Sequence, residues 1–517
     1  MRSTFMGLET SKRGLFTQQS ALYTTGHNIS NANTDGYSRQ RVNMETTPGF
    51  PGPGLNSPTT AGHIGTGVQA HSVQRIRDEF VDRQYRQETN KLGYWQATTK
   101  AISQMEDVMT EPSKFGINQA FTDFWESMED VVDQPKDTAA RQVLISKGQT
   151  LAESFNYMDT QLKQIQGNLG NEINVITAEA NNLLKQIANI NKQIQVVEPN
   201  GYMPNDLYDA RDVLVDKLND IIPVSISFEK SGGNSLEIAE GSMTVTFKAT
   251  DGQTYELVRG KSYAMINSMD TANQVIDGDV DDANTAGYNA FSGIAISDIG
   301  YPPTAVTAVN VDYTDLEPSK GKLAALIDAF GYEENGQVKG IYPEMLEKLD
   351  ELAGKFVEKF NEIHVDGFNL ANATGINFFD PTGTTARSMK VENLKPEDVA
   401  ASDAPNEEGN NKNMLDLAAL QSAVQADLQG GTFQSYYKSL IGELGVKGQQ
   451  AVTLEYNTTT LRLQIENRRA SHNSVSLDEE MTNMITFQQA YNANARMITV
   501  IDETLDKIIN GMGRVGL

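Results

Sequence analysis

Leu8, Leu15, Leu22 and Ile29 recur every seven residues, with Phe5 three positions before Leu8. One narrow apolar row at that spacing predicts a short N-terminal helix built to lie against a partner helix. The other end repeats the pattern. Leu477, Met481, Met484, Gln488, Tyr491, Ala495, Ile498, Asp502, Leu505 and Ile509 alternate by four and three, and Ile485, Ile501 and Ile508 widen the row. Asp478, Glu479 and Glu480 open that helix, where negative charge suits the helix dipole. Both ends of the chain are therefore heptad helices.

Between them the period changes several times. Asn, Gly and Pro dominate from Asn28 to Gly67, and the run Pro48-Gly49-Phe50-Pro51-Gly52-Pro53-Gly54 bars regular helix, which predicts an extended loop. A long helix follows from Arg77 to Met109, stopped near Glu111-Pro112. A shorter one carries Ile117, Phe121, Phe124, Met128 and Val131. The clearest seam in the chain then starts with Leu144, Leu151, Phe155, Met158, Leu162 and Ile165. It continues through Leu169, Ile173, Ile176, Ala180, Leu183, Ile187, Ile190, Ile194 and Val197, with a stutter beside Gly167 and Gly170. A helix of roughly 60 residues extends about 90 Å at about 1.5 Å per residue, which is a rod.

Pro199-Asn200-Gly201 ends the rod, and Asn205 is placed to cap a return helix carrying Leu207, Leu214, Leu218 and Ile221. From Pro223 the period is two: Val224, Ile226 and Phe228, then Val245 and Phe247, then Tyr255 and Leu257, with Gly232-Gly233, Asp251-Gly252 and Gly260 as turns. Helical spacing returns over Leu323 to Phe330 and through Met345, Leu349, Leu352, Phe356, Phe360 and Ile363. Residues Ala371 to Asn413 read as loops with a small hairpin. The expected fold is multidomain and mainly α, with paired terminal helices, a long coiled-coil-like rod and a central β insertion. Its divisions are 1–40 with 475–517 for the terminal helices, 41–222 with 318–474 for the rod, and 223–317 for the β-rich domain.

Composition narrows the function. Among 517 residues, 42 Lys and Arg face 68 Asp and Glu, a net charge of −26 that repels nucleic acid and anionic lipid. Cysteine is absent, which removes disulfides, thiolate nucleophiles and Cys-ligated zinc, and suits a chain threaded unfolded through a narrow channel. No apolar run is long enough to span a membrane, and Met1 to Leu15 shows no cleavable signal. Asp277-Gly278-Asp279-Val280-Asp281-Asp282 imitates a calcium loop, but Asp282 and Tyr288 stand where an EF-hand needs Gly and Glu. His27, His63, His71, His364 and His472 are scattered, Gly62 to Gly67 lacks a phosphate-loop lysine, and no Gly-x-Ser-x-Gly occurs. No catalytic constellation, metal site or cofactor is expected. The first forty residues lean basic (Arg2, Lys12, Arg13 and Arg39 against Glu9 and Asp35), and the last forty lean acidic, a mild match between the ends.

Two segments carry a family likeness. Ala21-Leu22 followed by Asn28-Ile29-Ser30-Asn31-Ala32-Asn33-Thr34-Asp35-Gly36-Tyr37-Ser38-Arg39 resembles the N-terminal signature of the flagellar rod, hook and hook-associated axial proteins. Leu477-Asp478-Glu479-Glu480-Met481, continuing through Phe487-Gln488-Gln489-Ala490-Tyr491-Asn492-Ala493-Asn494-Ala495-Arg496, resembles the matching C-terminal signature. Asn205-Asp206-Leu207-Tyr208-Asp209-Ala210-Arg211-Asp212 and Phe360-Asn361-Glu362-Ile363-His364 with Gly367 are similar to the members at the hook–filament junction. No motif is found in the β-rich domain.

The resemblance implies an extracellular structural protein of the bacterial flagellum, exported by a type III apparatus without signal cleavage. It implies a homo-oligomeric ring with hook protein behind, the third hook-associated protein beyond, and a cytoplasmic export chaperone on the C-terminal helix. The residues it points to are Leu8, Leu15, Leu22 and Ile29 for assembly, and Asn28, Asn31, Gly36 and Tyr37 in the signature. On the C-terminal helix it points to Met481, Met484, Tyr491, Ala495, Ile498, Leu505 and Ile509. A hook or distal rod protein shares the N-terminal signature and remains an alternative. A coiled-coil adhesin predicts a trimer and leaves the two signatures without a reason.

Overall fold

A computed structural model describes residues 5–50, 52, 64–109, 116–270, 290–303, 308–316 and 320–511. The first helix, α1 (Phe5–Ser30), leads into two antiparallel strands, β1 (Gln40–Thr46) and β2 (Val68–Arg75), with Gln40 opposite Arg75. Strand β1 stands inside the Asn28–Gly67 segment that reads as loop, and β2 follows directly after it. They pair Val42 with Val73 and Met44 with Ala70, a short apolar row left partly or wholly exposed, and both strands lie against α1.

The helical body follows: α2 (Glu79–Met109), α3 (Ile117–Asp133), α4 (Thr138–Val197) and α5 (Asn205–Ile221). The rod α4 is the 60-residue helix its seam predicts. Asp137 caps its start by accepting from the Ala139 N–H at 2.8 Å, and Gly201, at φ +85°, turns the chain back after it. Asn205 is not the cap of α5. That place is held by Pro204, and the Asn205 amide reaches instead to Gln40 Oε1 at 3.2 Å and the Val73 carbonyl at 2.9 Å on the ribbon.

Two sheets then form. One is β3 (Val224–Glu229), β4 (Ser242–Lys248), β5 (Thr254–Arg259) and β6 (Ser262–Tyr263), paired in that order. The other centres on β8 (Phe291–Ser297), between β7 (Ile266–Asp270) and β9 (Ala308–Asp312). After α6 (Lys322–Phe330), the short strands β10 (Tyr332–Glu334) and β11 (Gln337–Lys339) join this second sheet, so strand formation continues past residue 317. Next come α7 (Ile341–Asp366), α8 (Lys412–Ala419), α9 (Phe433–Asn473) and α10 (Leu477–Gly511). The expected hairpin within 371–413 is absent from the described structure. Isolated bridges, Phe368 to Ser402 and Phe379 to Val391, hold that loop. The Glu111-Pro112 stop and the Asp277–Asp282 stretch lie outside the described residues.

The rod unites the body. Near its start, Phe155 joins an aromatic cluster from α3, α7, α9 and the 378–379 loop. Phe356 is at its centre, with ring centroids 5.2 Å from Phe121, 6.0 Å from Phe124, 5.4 Å from Phe379 and 5.3 Å from Phe433. Near its end, two asparagines bind sheet backbone. Asn181 pairs with both the N–H and the carbonyl of Ile266 at 2.7 Å, and Asn191 pairs likewise with Met243 at 3.1 and 2.8 Å. The helix α9 carries no leucine heptad. It packs antiparallel on α2 through Tyr437, Leu440, Leu444, Gly448 and Ala451, and Gly448 is there because a side chain would press on Glu106 and Ile102.

Truncating Phe356 to Ala removes the ring at the centre of the aromatic cluster and should destabilise the body by about 3–5 kcal/mol. Urea unfolding followed by circular dichroism measures this; a loss near zero would show that the cluster collapses into the gap.

Candidate assembly site

The N-terminal signature folds as a turn that locks α1 to the start of α10. Asn28, almost fully buried, uses its whole amide. Its Nδ2 donates to the Gln40 carbonyl at 2.8 Å and to Glu480 Oε2 at 3.1 Å, while Oδ1 accepts from the Tyr37 hydroxyl at 2.8 Å and the Gln40 N–H at 3.0 Å. Arg39 donates to Glu480 Oε1 and Glu479 Oε2, both at 2.8 Å. Burial, then Asp206, Asp209 and Glu480, raises the Tyr37 phenol and keeps it a donor. Asn31 closes the last turn of α1 by donating to the His27 carbonyl at 3.1 Å. Gly36 has φ +76°, and a Cβ there would lie 2.1 Å from Val213 Cγ2 on α5. Asn28 and Tyr37 thus meet one another, and Asn28 reaches Glu480. Asn31 and Gly36 shape the loop around them.

The helices α1 and α10 run antiparallel. Gly7 lies against Ile501, Gly14 against Asn494 and Asn28 against Glu480, so each seven-residue step along α1 is matched by one back along α10. At Gly14 a Cβ would approach the Asn494 side chain to 2.8 Å. The contacts with α10 thus fall at Gly7, Gly14 and Asn28, in the row one position before the leucines, where Ala21 is also buried. Leu8, Leu15, Leu22 and Ile29 flank it, half-buried. On α10, Met484, Tyr491, Ala495, Ile498 and Leu505 are half-buried, whereas Met481 and Ile509 are exposed. Leu477, Ile485, Met497, Val500 and Ile508 of α10, with Phe5, Phe16 and Tyr23 of α1, are exposed as well. The small-residue row was visible as a heptad of Gly, Gly, Ala and Asn, but hydrophobic counting passes over it.

Beneath the signature loop, α5 presents a buried ionic cluster that an apolar reading of its helix also misses. Arg75 pairs with Asp209 at 2.6 Å, Asp212 at 2.9 Å and Glu240. Arg77 pairs with Asp212 and with Asp82 at 3.0 Å. Arg86 holds Asp216 at 2.6 Å and Asp212 at 3.4 Å, and Arg469 of α9 joins Asp82 at 2.7 Å to Asp216 at 2.8 Å. The Tyr208 ring lies against the Arg75 and Arg211 guanidinium groups at 5.0 and 5.3 Å. Burial would raise the Asp212 carboxyl, but Arg77, Arg75, Arg86 and Arg211 together hold it well below the usual carboxylate range. Asp209 is raised, because burial there outweighs its one strong cation, Arg75.

The second internal motif is packing. His364 accepts the Ala400 N–H at Nε2 (3.1 Å) and faces the Ile376 carbonyl with Nδ1 at 2.8 Å, and burial lowers it to about 4. Gly367 leaves room for the Asn413 amide. Among the described residues no group of His, Asp and Glu is arranged to hold a metal ion, and no helix is long and apolar enough to cross a membrane. A cleft of about 870 Å³ between the 32–38 loop, α2, α5 and α9 is lined by charges of both signs.

Comparisons with known proteins agree on one family. Residues 102–379 match the model described as the flagellar hook-associated protein FlgK helical domain. Residues 8–37 match flagella basal body rod protein, and 473–511 match the flagellar basal body rod FlgEFG protein C-terminal model. Flagellar hook-associated protein 1 of Bacillus subtilis is 42% identical, covering 99% of both chains. The protein of the same name from Salmonella typhimurium is 25% identical over 96% of this chain and 98% of its own. The solved structure of the flagellar hook junction protein FlgK from Burkholderia pseudomallei aligns with a TM-score of 0.60 at 14% identity, covering 76% of this chain and 100% of that one, and shows the same fold.

Because Asp212 binds a proton less readily in the folded chain than a free aspartate does (about pH 3.9), its contribution to stability is complete above that pH and is lost as the pH falls further. Urea midpoints measured from about pH 7 down to about pH 3 should drop steeply at the acid end. Asp212→Asn should lose about 3–5 kcal/mol at about pH 7 by leaving buried arginines uncompensated, and should show a shallower acid decline. Parallel curves for the two proteins would contradict this.

Proposed function

The chain belongs to the flagellar hook-associated protein 1 family, and from that premise we propose that it is the structural subunit joining hook to filament, built into the wall of the axial tube by its paired terminal helices. It is a structural component of the bacterial flagellum. The observation that carries the assembly reading is the α1–α10 pair. One side is closed by tight contact at Gly7 and Gly14, and the rest leaves Phe5, Phe16, Leu477, Met481, Ile485 and Val500 exposed to water. Copies side by side in a ring bury those groups, and the hydrophobic gain offsets the ordering of the two helices.

On this reading hook protein lies on one side of the ring and the third hook-associated protein on the other. An export chaperone covers the exposed apolar residues of α10, Met481 and Ile509 among them, before secretion, and the cysteine-free chain crosses the channel unfolded. The helical-domain match over 102–379 favours the junction over a hook or distal rod position.

Deleting the gene should leave hooks intact, abolish filaments and release filament subunits into the medium; normal filaments on the deletion strain would sink the reading. In a complemented strain, Leu477→Glu with Ile485→Glu should give a chain that folds and is made at wild-type level but restores no filaments. Electron microscopy of detached hooks reads both outcomes.

A further inference from the structure

Asparagine is followed by glycine three times in the chain, at Asn200-Gly201, Asn335-Gly336 and Asn510-Gly511. In that dipeptide the next backbone nitrogen meets no Cβ on its way to the asparagine side-chain carbonyl, so a five-membered imide closes readily. The fold treats the three sites differently. Asn200 is held at both reacting ends: its Nδ2 donates to the Val196 carbonyl at 2.8 Å, and the Gly201 N–H donates to the Glu198 carbonyl at 2.9 Å. Asn510 donates to Asp506 Oδ1 at 2.6 Å near the end of α10, and its state follows the ordering of that helix. Asn335 and Gly336 form the two-residue tip of the β10–β11 hairpin, with φ of +55° and +79°. Both are exposed, and neither the Asn335 side chain nor the Gly336 N–H takes part in any hydrogen bond among the described residues. A Cβ built on Gly336 would meet nothing within 4 Å, so solvent surrounds the reacting nitrogen.

We propose that Asn335 is a self-modification site, at which the folded body deamidates and its β10–β11 hairpin opens. The Gly336 nitrogen gives up its proton to hydroxide and attacks the Asn335 side-chain carbonyl carbon. The new C–N bond closes the imide, the bond to Nδ2 breaks, and the amide nitrogen leaves as ammonia. Water then adds to either imide carbonyl. One opening restores the ordinary backbone with an aspartate side chain; the other routes the main chain through the side-chain carbon as isoaspartate. No oxidant or cofactor is consumed. Attack requires Asn335 to rotate out of its turn conformation, and the hairpin permits this locally. Each strand has three residues, Tyr332–Glu334 and Gln337–Lys339, and β11 is the outer strand of its sheet. Isoaspartate adds a methylene between the two tip residues, so a two-residue turn no longer brings Glu334 opposite Gln337. The residue types that the turn demands are therefore also the ones that undo it.

The full-length chain is incubated in mildly alkaline buffer at body temperature, and peptides from successive times are read by mass spectrometry. Asn335 should convert at least about tenfold faster than Asn200, with isoaspartate among its products. In concentrated urea the two should convert at similar rates, because the protection of Asn200 belongs to the fold. Equal rates in the native chain overturn the proposal, and so does the same ratio in urea, which would assign the difference to local sequence alone. Asn335→Ser, which has no side-chain amide to lose, should abolish the modification and keep the hairpin. Deamidated chains carry an added negative charge and separate on an anion exchanger. In the isoaspartate fraction, hydrogen exchange over 332–339 should quicken about tenfold while α6 and α7 stay as protected as in the parent. Asn335→Asp adds the same charge on an ordinary backbone and should leave that exchange unchanged. Unaltered protection in the isoaspartate fraction, or equal loosening in Asn335→Asp, counts against the opening of the hairpin.

Discussion

Asp212 is the point on which chain segments from different parts of the sequence converge. Arg75 comes from the end of the ribbon, Arg77 from the connector, and Arg86 from α2, while Arg211 is its neighbour on α5. Burying this much charge is unfavourable unless every member is paired, and pairing makes the arrangement specific in direction and distance. The same cluster aligns α9, through Arg469, and the 240 loop, through Glu240. The body below it closes around an apolar core, and the terminal segments contact it through Arg75 in this cluster and through the signature loop resting on Val213.

Much of the fold was legible because its helices are long and periodic. The 60-residue rod, α3, α6, α7 and both terminal helices follow from apolar spacing alone. What escaped did so for physical reasons. The ribbon has only a short apolar row, Val42 and Met44 opposite Val73 and Ala70, and its first strand lies in a segment rich in Asn, Gly and Pro that reads as loop. The packing face of α9 mixes aromatics with Gly448, Ala451 and Thr458, which bury without looking hydrophobic. Asn205 has the residue type of a cap but spends its amide on tertiary contacts.

The site shows the same division. The signature residues Asn28, Asn31, Gly36 and Tyr37 were picked out by likeness, and only the folded chain shows that Asn28 bridges Tyr37 to Glu480 while Gly36 answers a steric demand from α5. The leucine row drew attention to α1, yet Gly7, Gly14 and Asn28 of the neighbouring row make the contacts with α10. Asp209 and Asp212 lay inside a recognised motif with no role attached, because a charged face on a helix ordinarily reads as solvated surface. Burial, not residue type, distinguishes them.

Asn181 and Asn191 of the rod give the molecule a property that its apolar seam could not. Greasy contacts between a helix and a sheet resist separation but offer little against sliding along the helix axis, since the attraction has no direction. Each asparagine grips the N–H and the carbonyl of one strand residue at once, so axial slip breaks two hydrogen bonds at each site. They work as shear keys between beam and plate. A subunit placed between two parts of a rotating shaft carries torsional load, and keyed contacts of this kind let the sheets and the rod bear it together.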